Sequence, residues 1–288
     1  MRIKSFAKIN LGLEIVGKRA DGYHNLRTLY QTISLHDDLE FLAEEDGFLR
    51  LEGDDPAVPW DEGNLILKAA RLLQDMTGSK RGVSIRVTKR IPAGGGLAGG
   101  SSNAATTLRA LDGMWELGLG RDGLETAART LGADVSFFLH GGLCLGLERG
   151  DRLEELDDFG PLSCLLALPP FSMSTASVYS ALPGTLTSGG KDSKMMRFLE
   201  TRDFGLLEND LETVILRAHP ELGDLKRFFR SEGAALSLVS GSGSAVFGIF
   251  PDRAKALRAL EKLGQSYRGR LGELLPRESY WRELNAGA

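Results

Sequence analysis

Pro92-Ala-Gly-Gly-Gly-Leu-Ala-Gly-Gly-Ser-Ser-Asn103 places five glycines between positions 94 and 100 and leads into an apolar stripe at helical spacing, Ala104, Ala105, Leu108, Leu111 and Trp115. Glycine lets the backbone turn tightly and approach a ligand closely, while the free N–H groups and the positive dipole end of a helix attract an anion. The stretch therefore reads as a phosphate cradle made of Pro92, Ala93, Gly94, Gly95, Gly96, Leu97, Ala98, Gly99, Gly100, Ser101 and Ser102, with serine in the capping position. It is not a Walker A loop, because Ser101 follows Gly99 and Gly100 where that motif carries lysine. The G-x-G-x-x-G dinucleotide fingerprint is met only loosely.

Upstream, Val83, Ile85 and Val87 alternate as a strand that ends at Pro92, and Leu65, Ala69, Leu72 and Met76 repeat at helical spacing. At the amino end, Ile3, Ala7, Ile9, Leu11, Leu13 and Ile15 alternate with Lys4, Lys8, Asn10 and Glu14, the pattern of a half-buried strand that points Lys8 and Asn10 the same way. Downstream, Asp122 and Glu125 resemble an acidic capping box for a helix through Leu131, Gly132 stops it, and Asp134 falls just beyond. The acidic, weakly patterned segment 148–161 suggests a division of the chain into 1–155 and 156–288. The second half reads as an apolar strand at Cys164–Leu168, a Gly/Ser/Thr loop at 183–193, two strands flanking Ser240-Gly-Ser-Gly-Ser244, and a helix from Asp252 to Leu263. Both halves are mixed, so the fold class is α+β.

Lys and Arg total 35 against 39 Asp and Glu, a net charge of -4, which argues against nucleic acid or an anionic membrane as partner. No stretch reaches the ~18 apolar residues of a membrane span, and no charged leader precedes an apolar run, so a cytoplasmic location is expected. Cys144 and Cys164 lie in apolar runs and read as reduced core residues.

Three segments together, AKINLGLEI (7–15), IPAGGGLAGGSSNAA (91–105) and SGSGSAVFGIF (240–250), resemble the GHMP kinases, named for galactokinase, homoserine kinase, mevalonate kinase and phosphomevalonate kinase. RADGYHNLRTLY (19–30) and LGADVSFFLHGG (131–142) look like the branch of that family that phosphorylates 4-diphosphocytidyl-2-C-methyl-D-erythritol on its 2-hydroxyl, in the non-mevalonate route to isoprenoids. The resemblance implies a two-domain fold, the first part like ribosomal protein S5 domain 2 and the second ferredoxin-like, with ATP and Mg²⁺ under the glycine loop. It implies Lys8 and Asp134 as the catalytic pair, Asp134 steering the hydroxyl proton and Lys8 neutralising developing negative charge. By the same matching, Asn64 lies near the nucleotide, with Ser101 or Ser102 near the metal. Asn10, Tyr23, His24, Tyr30, Lys89, Thr175, Tyr179, Gly241 and Gly243 fall where this branch holds its substrate, and the tyrosines and His24 suit a flat base with polar edges. The chain departs from the family pattern at Ala98, where another glycine is usual, and at Ser136, where proline is usual. A monomer or weak homodimer is expected. The rival readings are another kinase of the family, for homoserine, mevalonate or a sugar, a decarboxylating member, and a regulatory protein that binds a nucleotide without turnover.

Overall fold

The computed structural model describes residues 1–20, 23–45, 47–182, 193–264 and 267–287. Asp21 and Gly22 of the RADGYH motif, and nearly all of the loop expected at 183–193, lie outside the described residues.

The first half runs β1 (Arg2–Lys18), β2 (His24–Glu44), β3 (Leu49–Gly53), α1 (Leu65–Thr77), β4 (Gly82–Thr88), α2 (Gly99–Met114), α3 (Gly120–Leu131), α4 (Ala133–Phe137), β5 (Leu143–Glu148) and β6 (Arg152–Glu155). Its strands form one sheet in the order β3-β4-β2-β5-β6, with β1 paired antiparallel to β2. The second half runs β7 (Ser163–Leu168), α5 (Thr175–Ser180), α6 (Lys194–Thr201), α7 (Glu212–Ala218), α8 (Pro220–Ser231), β8 (Leu236–Val239), β9 (Val246–Phe250), α9 (Arg253–Lys262), β10 (Arg268–Glu273) and α10 (Arg277–Asn285), with a sheet ordered β10-β7-β9-β8.

The alternation of β1 is real, but the strand is buried on both faces rather than half-buried. Its apolar side helps fill the layer between the two sheets, where Ala7, Ile9 and Leu11 meet Leu166, Leu238 and Phe247. Its polar side, Lys8, Asn10 and Glu14, is covered as well, by the glycine loop and the second half of the chain. Glu14 accepts hydrogen bonds from Ser193 Oγ and Met195 N at the start of α6, which accounts for a buried carboxylate in a strand.

Helix α1 carries Asn64 as its N-cap, Oδ1 accepting from Ile66 N at 3.0 Å. Helix α2 departs from expectation, because it begins at Gly99 with Ala98 as N-cap and no capping side chain; Ser101 and Ser102 are inside its first turn. The capping box expected of Asp122 and Glu125 is not formed either, since α3 already starts at Gly120 and Glu125 binds Arg121 and Arg129 instead. The segment 148–161, weakly patterned in sequence, contains β6 paired to β5.

The division at 155/156 separates the two sheets, yet α10 returns across it. Leu275, Tyr280 and Leu284 belong to the core formed by α1, α2 and the first sheet. The Tyr280 hydroxyl donates to Phe138 O at 2.6 Å, and Asp158 accepts from Leu143 N and Arg277 N. Cys144 and Cys164 are free and buried, and burial pushes the Cys144 thiol up to about 11.

Candidate active site

A cavity of about 980 Å³ is lined by both halves of the chain. The register of β1 on β2 orders its walls. His24 opens β2, Tyr30 faces Asn10, Thr32 faces Lys8, and Asp37 lies further along the same strand. At ~3.3 Å per residue, His24 and Asp37 stand roughly 40 Å of strand apart, with Lys8 between them.

Lys8 is almost fully buried, with its side chain 5% exposed. Its Nζ donates to Asn10 Oδ1 at 2.7 Å and to Gly96 O at 2.9 Å, and lies 3.6 Å from Asp134 Oδ2. The period-2 reading of β1 thus puts Lys8 and Asn10 in direct contact. Burial holds the Lys8 ammonium below the ordinary lysine value, and Asp134 opposes that shift. Asp134 is the second residue of α4, in the first turn of that short helix.

The Lys8–Asp134 pair has the glycine loop on one side. Pro92 through Gly96, Ala98, Gly99, Gly100 and Ser101 line the cavity, as does Asn64. Leu97 does not: its side chain is buried between the sheets, and only its carbonyl serves the site, accepting from Lys8 N. Ser102 is turned away, its hydroxyl paired with Ser5 Oγ at 2.7 Å in the core, which leaves Ser101 as the loop serine that faces the cavity. Lys89, matched to the substrate side in sequence, stands at the glycine-loop end. It is ion-paired to the buried Asp37 and reaches toward Gly99.

Ala98 adopts φ 55°, ψ 33°, a left-handed conformation in which a Cβ costs about 1–2 kcal/mol. Its methyl recovers part of that cost against the first core. Ala98→Gly is expected to raise the melting temperature by about 1–3 °C, and Ala98→Val to lower it by more, as read by thermal unfolding. Ser136 is buried in α4, and its hydroxyl has no hydrogen-bond partner among the described residues.

On the other side of the pair the walls become aromatic. The His24 and Tyr179 rings lie 5.6 Å apart at 32°, and Tyr23 is 62% exposed at the rim. Burial, with Lys18 beside it, holds His24 below the ordinary imidazole value, so near pH 7 the ring is neutral and offers one donor and one acceptor. Burial and Asp134 push the Tyr179 hydroxyl up. Thr175 Oγ1 and Ser242 Oγ are 2.8 Å apart, and Gly241 lines the wall beside them. Gly243 does not line the cavity, because it is turned toward Val239 and Met173.

Tyr30 lines the cavity beside the Lys8–Asp134 pair, with Lys8 Nζ 5.7 Å from its ring centroid. It is only 3% exposed, its ring packs on Phe137 at 4.9 Å and against Gly146, and its hydroxyl fills the space at Gly150. Its ring is therefore largely covered, and the part that meets the cavity lies at the Lys8–Asp134 pair. Burial first, then Asp134, push its hydroxyl well above the ordinary tyrosine value.

Among the contributors that sequence reasoning missed are Thr28, Val58, Trp60 and Asp37. Thr28 Oγ1 accepts from Asn10 Nδ2 at 2.8 Å and donates to Gly12 O; its place two residues before Tyr30 on one strand face was the available signal. Val58 and Trp60 give the glycine-loop end an apolar wall, marked in sequence only by a tryptophan close to Asn64. Asp37 accepts from Arg90 N, Ile91 N and Asn103 Nδ2 as well as Lys89, tying β4's exit to α2 across 52 to 66 residues of sequence, which no local pattern announces.

Known proteins bear on these features. The profile of the GHMP kinases N terminal domain matches residues 64–142, and that of the GHMP kinases C terminal matches 195–269. A 4-diphosphocytidyl-2-C-methyl-D-erythritol kinase of Shouchella clausii (strain KSM-K16) is 40% identical over 260 residues, covering 89% of this chain and 88% of its own. Its counterpart from Prosthecochloris aestuarii (strain DSM 271 / SK 413) is 39% identical over 274 residues, covering 93% and 95%. The crystal structure of a 4-(cytidine 5'-diphospho)-2C-methyl-D-erythritol kinase superposes with a TM-score of 0.83 at 36% identity, over 95% of this chain and 99% of that one. With both family domains in order and relatives at this identity over nearly its full length, the chain belongs to the GHMP kinases.

Proposed function

We propose that the chain transfers the γ-phosphoryl group of ATP to the 2-hydroxyl of 4-diphosphocytidyl-2-C-methyl-D-erythritol, the substrate named for its relatives. One observation carries the reading: a buried Lys8, ion-paired to a half-buried Asp134, stands between a glycine-loop end and an aromatic end of one cavity. A donor and an acceptor substrate can then meet at that pair. The glycine loop, the amino end of α2 and the apolar wall of Trp60 receive ATP, while Tyr23, His24 and Tyr179 receive the cytosine ring.

Phosphoryl transfer to an alcohol passes through a loose transition state, so alignment and charge stabilisation provide most of the rate. Asp134 takes the hydroxyl proton, and Lys8, held by Asn10 and Gly96, stabilises charge on the transferring group. Mg²⁺ would arrive on the nucleotide, where Ser101, the loop serine on the cavity, would be the chain's oxygen ligand. Bound there, it would neutralise charge across the phosphates. No helix is long and apolar enough to cross a membrane among the described residues, and the reading includes a cytoplasmic enzyme, monomer or weak homodimer, without a nucleic-acid partner.

The test is ADP release with ATP and Mg²⁺ over a panel: 4-diphosphocytidyl-2-C-methyl-D-erythritol, its precursor lacking the CMP part, mevalonate, homoserine and galactose. A response to the first alone is expected. Turnover of another alcohol instead removes the cytosine pocket, and silence across the panel with ATP bound leaves a regulatory protein. Tyr23→Ala is expected to raise the KM of the cytidylated substrate by about tenfold while leaving the ATP KM unchanged, since stacking on a base is worth ~1–3 kcal/mol.

A further inference from the structure

Lys8 Nζ donates to Asn10 Oδ1 and Gly96 O and faces Asp134 Oδ2 as an ion pair at 3.6 Å. Of these, Gly96 O belongs to a flexible residue type in a loop, so something must hold it. The hydroxyl of Ser240, 0% exposed, donates to Gly96 O at 2.9 Å and accepts from Asn10 N at 3.3 Å. A carbonyl has two lone pairs, and this one receives Lys8 and Ser240 together.

Ser240 is itself pinned from the second half. Asn209 Nδ2 donates to Val239 O at 2.9 Å and to Gly241 O at 2.8 Å, bracketing it. Glu212 Oε1 accepts from Val239 N at 2.7 Å, its other oxygen paired with Lys226. Ser240 N donates to Ala245 O, and Ala245 N donates to Gly95 O, so the two glycine loops are also joined through their backbones.

We propose that Ser240 is a positioning residue for the phosphoryl transfer: its hydroxyl locks the Gly96 carbonyl, and with it the Lys8 ammonium, to the Gly241–Ser242 turn that forms the opposite wall of the cavity. The catalytic lysine on β1 is thereby registered to the second half of the chain. The inference rests on the kinase reading for its activity readout only.

The comparison is Ser240→Ala against Ser237→Ala. Ser237 is equally buried on β8 and loses one comparable bond, to Phe247 O at 2.9 Å, away from the cavity. In steady-state ADP release, Ser240→Ala is expected to lower kcat by about 10²-fold, the scale of a small misplacement, with both KM values within about threefold of wild type. Ser237→Ala is expected to keep kcat. A second readout needs no turnover: the Lys8 Nζ signal in ¹⁵N-lysine-labelled protein, assigned with Lys8→Met, should move in Ser240→Ala and stay in place in Ser237→Ala. An unmoved Lys8 signal, or kcat values for the two variants within about threefold of each other, overturns the proposal. If wild type turns over nothing, the kinase reading fails while the Lys8 signal still decides the role of Ser240.

Discussion

Asp134→Asn is expected to bind ATP and the cytidylated alcohol almost as wild type does while turning over about 10²–10⁴-fold more slowly, the range that a positioned proton acceptor supplies. Asparagine keeps the shape of the side chain and its place in α4, so neither end of the cavity is disturbed. It cannot take the hydroxyl proton, and it withdraws the negative partner that faces Lys8 Nζ at 3.6 Å. Calorimetric titration with each ligand, set beside kcat from ADP release, separates the two effects. A variant with kcat near wild type would remove Asp134 from the mechanism.

Gly96→Ala is expected to be nearly as damaging by a different route. Gly96 sits at φ +75°, and a Cβ there would lie 2.0 Å from Ser240 O and 3.2 Å from Gly243 N, backbone atoms of the other glycine loop. The left-handed strain costs about 1–2 kcal/mol and overpacking about 1–3 kcal/mol more. The loops can part only by pulling Gly96 O away from Lys8 Nζ and Ser240 Oγ. A fall of on the order of 10 °C in melting temperature is expected. At temperatures where the variant stays folded, the loss of turnover should be about 10²-fold or more. Gly100→Ala is the control, because a Cβ at that position meets nothing nearer than Leu65 Cδ1 at 3.9 Å. Equal losses in the two variants would show that the loop tolerates no side chain anywhere, and would remove the contact with Ser240 as the cause.

Strands with one buried face, or whose polar positions keep strict alternation, were legible. β1 and β4 follow their residue patterns, and β8 and β9 pair antiparallel around Ser240 to Ser244 as expected. The 21-residue β2 was not assigned, because Thr28 through Ile33 are all buried and a strand covered on both faces loses its alternation. Tyr30 lines the cavity while packing among Phe137, Gly146 and Gly150, an environment that no local pattern announces. Lys8 and Asn10 were legible as neighbours because two residues of one strand face need no tertiary information. Which serine faces the cavity was not, since that depends on where α2 starts, and α2 starts three residues earlier than a Ser101 cap would set it.

The return of α10 to the first core has a mechanical meaning. Two segments of chain tie the halves: 156–162 joins β6 to β7, and 274–276 joins β10 to α10, which packs in the first core. A body tethered at one point can swing about any axis through it, whereas one tethered at two keeps a single axis, the line joining them. Any opening of the cavity is then a rotation about that line, and its amplitude is set by how far the apolar layer between the sheets can shear before Leu274 and Phe247 lose their neighbours.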